Sequence, residues 1–199
     1  MAQVVPVFDL GEVLVFVHEE WFLEKLEGAC REGARAQDAF FRHFDRLGIN
    51  RGGDFAGLHP LLVEEIGLRM RPEEFRLAWQ DIFTANQPMI EFVAALPRPR
   101  YLLSNTSEPH VAWLRERYPQ SLDVFDHCVL SYEVGAEKPD LAIYRMVESV
   151  SGQPPESHVF FDDRPDNVEG ARAAGWQAYQ FVGVEECRER LRGRGLGVP

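Results

Sequence analysis

The chain has 199 residues, 45% hydrophobic and 12% aromatic, which is enough to bury a core and too apolar for a disordered tail, a collagen-like repeat or a low-complexity linker. With 21 Lys and Arg against 32 Asp and Glu the formal charge is −11, which argues against a nucleic-acid partner, because that affinity comes from clustered cations. A small anion stays possible, since a metal ion or one Lys inverts a local field.

Cys30, Cys128 and Cys187 lie outside any CxxC or Cys/His ligand spacing. The N-terminal MAQVVPVFDLG has no basic stretch leading into an apolar one. No apolar run approaches the roughly 20 residues of a membrane span. The expectation is a soluble, cytoplasmic protein with reduced thiols and no membrane partner.

The first predicted strand, Val4–Phe8, ends at Asp9. Residues 17 to 96 then follow helical spacing, with Trp21, Phe22 and Leu26, then Phe40, Phe44 and Leu47, then Phe75, Ala78, Trp79, Ile82 and Phe83. Arg51-Gly52-Gly53-Asp54 interrupts this stretch, which reads as a small all-α insert with its Trp and Phe residues in a bundle core. Strand signal returns at Tyr101–Leu103 before Ser104, Val129–Leu130 before Ser131, Val159–Phe161 before Asp162, and Tyr179–Val182 before Gly183. Helices are predicted between them, over Glu108–Tyr118, over Asp140–Val150 behind Pro139, and over Asn167–Ala174 closed by Gly175. Alternating strands and helices predict an α/β, Rossmann-like and mostly parallel sheet flanked by helices. Residues 1–16 and 97–199 would form it, with 17–96 inserted after the first strand. Arg98, Arg100, Arg115 and Arg117 read as a solvated face, and the charge run 185–194 as the exposed side of a terminal helix.

In an open parallel sheet, ligands bind beyond the carboxyl ends of the strands. The residues ending three of these strands are Asp9, Ser104 with Asn105, and Asp162 with Asp163. If the strands are neighbours, two or three carboxylates and a hydroxyl converge, and Lys138 reaches the same edge. Asp162 and Asp163 side by side are costly to bury without a cation, and oxygen ligands point to Mg²⁺ rather than zinc. A hydroxyl, backbone amides and a Lys suit a phosphoryl group, with a carboxylate free to act as nucleophile.

Four stretches, VVPVFDLGEVL (4–14), YLLSNTS (101–107), VGAEKPDLAIY (134–144) and HVFFDDRPDNVEGARAAG (158–175), resemble the motifs of the haloacid dehalogenase-like hydrolase superfamily in order and spacing. The resemblance is to its phosphatase branch with a helical cap, and within it to the sub-branch with a DLGN- or DLGG-type first motif. That sub-branch includes sugar-phosphate phosphatases and the N-terminal phosphatase domain of soluble epoxide hydrolases. The resemblance implies Asp9 as nucleophile, with Ser104 and the Asn105 backbone amide on the phosphoryl oxygens. Lys138 would neutralise charge on nucleophile and phosphate. Asp163 would hold Mg²⁺ with Asp9 and the Gly11 carbonyl. Asp162 becomes a support orienting Lys138, and Asn167 falls where a second acid often holds the metal's water. The expected partner is a small phosphorylated metabolite, and the expected state a monomer or homodimer.

One departure matters. The usual first motif is DxD, and its second Asp transfers protons to the leaving alkoxide and from water; here Gly11 stands in its place. Glu12 is offset by one residue and points elsewhere unless the loop is bent. Glu12, His18 or water could substitute, with the loss at stake about 10²–10⁴-fold. Two alternatives stay open: a catalytically weak or inactive binding or regulatory protein on this fold, and a metal-free 2-haloacid dehalogenase. The paired Asp162-Asp163 argues against the second.

Overall fold

The computed structural model describes residues 3–198. Five parallel strands form the central sheet: β1 (Val5–Phe8), β4 (Tyr101–Ser104), β5 (His127–Leu130), β6 (His158–Asp162) and β7 (Gln177–Gln180), in the order β5-β4-β1-β6-β7. The expected fold class is the observed one. Strands β1, β4 and β6 are buried on both faces throughout, the pattern of a sheet covered on two sides. The period-2 alternation divides them cleanly. Phe8, Leu102 and Phe161 face a core that also takes in Phe92, Val111, Leu114 and Leu191, while Val7, Leu103 and Phe160 face Ile143, Tyr144, Val147 and Trp176. The first face is therefore covered by α5 (Gln87–Ala94), α6 (Glu108–Arg117) and α11 (Val184–Arg192), the second by α9 (Leu141–Ser151) and α10 (Pro165–Ala173). Two short helices, α7 (Gln120–Asp123) and α8 (Ser131–Val134), flank β5.

Between β1 and β4 the chain makes an antiparallel pair, β2 (Val15–Val17) with β3 (Phe83–Ala85). Four helices lie between those strands: α1 (Glu19–Gly28), α2 (Ala36–Leu47), α3 (Leu58–Ile66) and α4 (Pro72–Gln80). Phe22, Phe40, Phe44, Phe75 and Trp79 form an aromatic knot there, with Phe22 and Phe40 ring centres 4.6 Å apart and Phe40 and Trp79 4.9 Å apart. Tilted and edge-on pairs of this kind add to the burial of large apolar surface.

Several sequence expectations shift. The insert carries the β2–β3 pair, whose three-residue strands are too short to register as an apolar run. The last strand is displaced two residues toward the N-terminus, to Gln177–Gln180. Trp21 lies at the surface, stacked on His18 at 4.0 Å, because Phe22 and Leu26 are the i, i+4 pair facing inward. Arg100 is buried, not solvated. Its guanidinium donates to the carbonyls of Val93 and Ala94 at 2.9 and 2.8 Å and so holds the C-terminal end of α5. That helix packs on α11, although the sequence groups it with the insert.

Candidate active site

Strands β4, β1 and β6 are adjacent, so Ser104, Asp9 and Asp162 leave the sheet side by side. Asp9 follows β1 directly, its backbone amide donating to the Phe161 carbonyl at 2.9 Å. Its Oδ1 accepts from the Leu10 amide at 2.7 Å and sits 2.8 Å from the Lys138 Nζ. Lys138 is fully buried along its side chain; its ammonium also reaches Asp162 Oδ2 at 2.6 Å and donates to the Leu103 carbonyl at 3.0 Å. Three acceptors for three ammonium protons leave Lys138 one conformation.

Each partner of Lys138 is itself held. Asp162 Oδ1 accepts from the Arg164 amide at 2.9 Å, and the Asn167 side-chain amide donates to both carboxylate oxygens at 2.9 and 3.0 Å. Asn167 is fixed through its carbonyl, which accepts from the Tyr144 hydroxyl at 2.7 Å. This proximity depends on Gly170, where a Cβ would sit 2.8 Å from Pro139 and from the Tyr144 oxygen. The Asn105 side chain clamps the Lys138 backbone, accepting from its amide and donating to its carbonyl, both at 2.8 Å.

Asp163 follows Asp162 and turns the other way. It is half-buried, its carboxylate has no side-chain partner among the described residues, and carboxylate oxygens of Asp9, Asp162 and Asp163 fall within 4.8 Å of one another. Burial pushes the Asp9 carboxyl above its ordinary value, Asp162 adds to the rise, and Lys138 opposes it. Asp163 is raised by burial and by Asp162. One Lys among three carboxylates leaves a negative excess that a further cation relieves. The donors on the Asp9–Asp163 side are oxygens, which suits a hard dication such as Mg²⁺.

A cavity of about 450 Å³ opens over this edge, lined by Asp9, Gly11, Asn105, Lys138 and Asp163 at its floor and by Glu12, Asp45, Asn50, Glu137 and Arg164 around its rim. The loop after β1 is bent at Glu12, whose φ of 55° is left-handed. That bend leaves Glu12 lining the cavity with its Oε1 accepting from the Val17 amide of β2 at 2.9 Å. His18 is engaged elsewhere, 2.9 Å from Thr84 Oγ1 on β3. Ser104 is buried at the end of β4.

Three features escaped the sequence: the Asn105 side-chain clamp, the fixing of Asp162 by Asn167, and the arrival of Asp45 and Asn50 from the insert. Asn50 adjoins Arg51-Gly52-Gly53-Asp54, and a Gly-rich break in a helical stretch is where site residues concentrate, so that signal was available.

A carboxylate edge of this construction lies where α/β proteins bind their ligands, at the carboxyl ends of a parallel sheet. A model of the haloacid dehalogenase-like hydrolase family matches residues 6–175, and the chain belongs to that family. Drimenol cyclase drtB of Aspergillus calidoustus is 36% identical over 91 residues, covering 46% of this chain and 17% of the cyclase. This chain thus spans less than a fifth of that relative. D-ribitol-5-phosphate phosphatase of Bacteroides thetaiotaomicron is 23% identical over 198 residues, 93% of this chain and 95% of that protein. Among solved structures, the haloacid dehalogenase family enzyme bt-2542 of the same organism superposes with a TM-score of 0.82 at 22% identity, covering 96% of this chain and all of that one. It has also been solved in complex with magnesium and inorganic phosphate, where the TM-score is 0.73.

Proposed function

We propose that this protein is a Mg²⁺-dependent phosphatase hydrolysing a small-molecule phosphomonoester through an aspartyl-phosphate on Asp9. The observation that carries the reading is the single buried Lys138 ammonium bridging Asp9 and Asp162 beside the unpaired carboxylate of Asp163. Asp9 Oδ1 is held by Lys138 and the Leu10 amide, which leaves Oδ2 as its one remaining carboxylate oxygen. Asp9, Asp163 and the Gly11 carbonyl would hold Mg²⁺, which supplies charge neutralisation for the nucleophile and the phosphoryl oxygens when bound. Ser104 and the Asn105 amide receive phosphoryl oxygens, and Lys138 offsets their charge.

Attack by an Asp9 oxygen on phosphorus breaks the bond to the leaving alkoxide, which takes a proton from water, and a second water then hydrolyses the aspartyl-phosphate to release phosphate and restore Asp9. In-line positioning and electrostatic stabilisation carry most of such a transfer. The mainly helical insert, residues 17–96 in the sequence division, acts as a cap that closes over the cavity and favours a soluble metabolite over a phosphoprotein. We place the protein in the cytoplasm; among the described residues no helix is long and apolar enough to cross a membrane.

The test is Mg²⁺-dependent phosphate release from an aryl phosphate. Wild type should turn over and Asp9→Asn should lose at least about 10³-fold, while still folding. An aryl leaving group needs little protonation, so absence of turnover in folded, Mg²⁺-binding wild type would overturn the reading in favour of a non-catalytic binding protein.

A further inference from the structure

The rim of the cavity differs from its floor in the hydrogen-bonding groups it leaves free. Helix α2 ends at Gly48, which is left-handed with φ 62°, and the chain continues through a tight turn, Ile49–Arg51, to Gly52 with φ 86°. A Cβ at Gly52 would lie 2.7 Å from the Tyr132 carbonyl oxygen. The glycine therefore lets this cap loop seat on α8, next to β5 of the sheet. Ile49 is buried beneath it, which sets Asp45 and Asn50 on the cavity wall.

Neither side chain has a protein hydrogen-bond partner among the described residues. Asp45 is exposed and Asn50 half-buried. Asp45 also occupies the last turn of α2, where a carboxylate opposes the helix dipole and contributes nothing to helix stability. Glu137 closes the third side, with only a long 3.8 Å pairing to Arg51. The same three residues, with Arg51, also line a second space of about 270 Å³. The wall a leaving group meets thus offers two carboxylates that accept from hydroxyls, one amide that donates and accepts, and the Arg51 guanidinium, 3.8 Å from Glu137. The remaining cation, Arg164, lines the cavity beside Asp163 and takes no part in this second space.

Resting on the phosphatase reading above, we propose that Asp45, Asn50 and Glu137 are specificity-determining residues that select a hydroxylated, non-anionic leaving group and repel one carrying a carboxylate. Hydroxyls of the leaving alcohol donate to Asp45 and Glu137 and exchange hydrogen bonds with Asn50. A carboxylate in the same space faces two like charges within a few ångströms, where repulsion weakens binding by tenfold or more.

The experiment compares glycerol 1-phosphate with 3-phosphoglycerate, which differ by a hydroxymethyl group against a carboxylate, at fixed Mg²⁺ and two ionic strengths. Wild type should favour glycerol 1-phosphate by at least about tenfold in kcat/KM, chiefly through KM, with the ratio shrinking at high salt. The double variant Asp45→Lys, Glu137→Gln should bring the ratio to within about threefold, by lowering KM for 3-phosphoglycerate. Equal efficiencies in wild type, a preference for 3-phosphoglycerate, or a double variant that keeps the wild-type ratio would each overturn the proposal. An aryl phosphate run in parallel separates the two claims, since loss of that activity in wild type defeats the phosphatase reading itself.

Discussion

The two walls of the cavity are built on opposite principles. On the sheet side every group that orients Asp9 is engaged, and Lys138 and Asp162 are buried: Lys138 contacts three oxygens, Asp162 accepts from an amide and a side chain, and Asn105 clamps the Lys138 backbone. On the cap side the side chains of Asp45 and Asn50 have no hydrogen-bond partners among the described residues. A reacting geometry must be over-determined, because small displacements of a nucleophile are expensive in rate. A wall that reads a ligand must instead keep its donors and acceptors free for it. Changes on the sheet side should therefore disturb fold and rate together, and changes on the cap side should disturb selectivity alone.

The largest effect belongs to Lys138. Removing it as Lys138→Met leaves Asp9 and Asp162 facing each other in a buried site with no counter-charge. Loss of one partner from a buried ion pair costs about 3–5 kcal/mol, equivalent in a domain of this size to roughly 6–20 °C in Tm. Thermal unfolding and aryl-phosphate turnover measured together should both collapse. A variant that keeps its Tm would mean that the network is not what holds this edge.

Next in size is Gly11→Asp, which restores the proton-transferring carboxylate of the usual first motif. A Cβ at Gly11 meets only the Val17 side chain, at an ordinary 3.4 Å, so the backbone there accepts a side chain without a clash at its first atom. The contribution of a positioned acid-base group is about 10²–10⁴-fold, and the gain should appear on alkyl phosphates, whose leaving groups need a proton, far more than on aryl phosphates. An equal change on both substrates would show that protonation is not what limits this enzyme.

The same contrast governs what could be read from the sequence. Asp9, Ser104 and Asp162 were legible because each ends a short apolar run, and strand ends in a parallel sheet share one edge. Their order in space was a guess until β4, β1 and β6 proved adjacent. Lys138 was legible as a candidate because it stands before a Pro-initiated helix. The Asn105 clamp was not, since an Asn after a strand reads as a turn or cap residue and only the fold brings it to Lys138. Arg100 misled for a related reason: Arg prefers the surface, and its burial depends on the open carbonyls of α5 meeting it in three dimensions. The β2–β3 pair was hidden because three-residue strands hold too little periodicity to separate from the helical pattern around them.

A smaller effect tests the sheet side through pH. Burial raises the Asp9 carboxyl, so the native state holds that proton more tightly than the unfolded chain does. Stability from this group is present at low pH and is lost as pH rises from the ordinary carboxylate value through the raised one. With a chelator present, Asp9→Asn removes the excess buried charge, leaving Lys138 paired with Asp162. Its Tm should exceed that of wild type by a few degrees at pH 8 and by less at pH 4–5. Mg²⁺ should raise wild type by mass action and shift Asp9→Asn much less. A gap that widens toward acid would reverse the sign and exclude Asp9 as the strained group.

The smallest expected effect is the sharpest test of the cap side. Asp45→Asn changes an exposed carboxylate with no partner into a neutral isostere, and surface substitutions of this kind fall within about ±0.5 kcal/mol. Here even the sign is fixed. A carboxylate in the last turn of α2 faces the negative end of the helix dipole, so neutralising it should stabilise by a few tenths of a kcal/mol at low salt and by less at high salt. Urea unfolding at two ionic strengths reads that difference. A loss of stability would show that Asp45 has a structural partner in solution, and the division between a locked chemical wall and an unpartnered reading wall would fail at the residue that best expresses it.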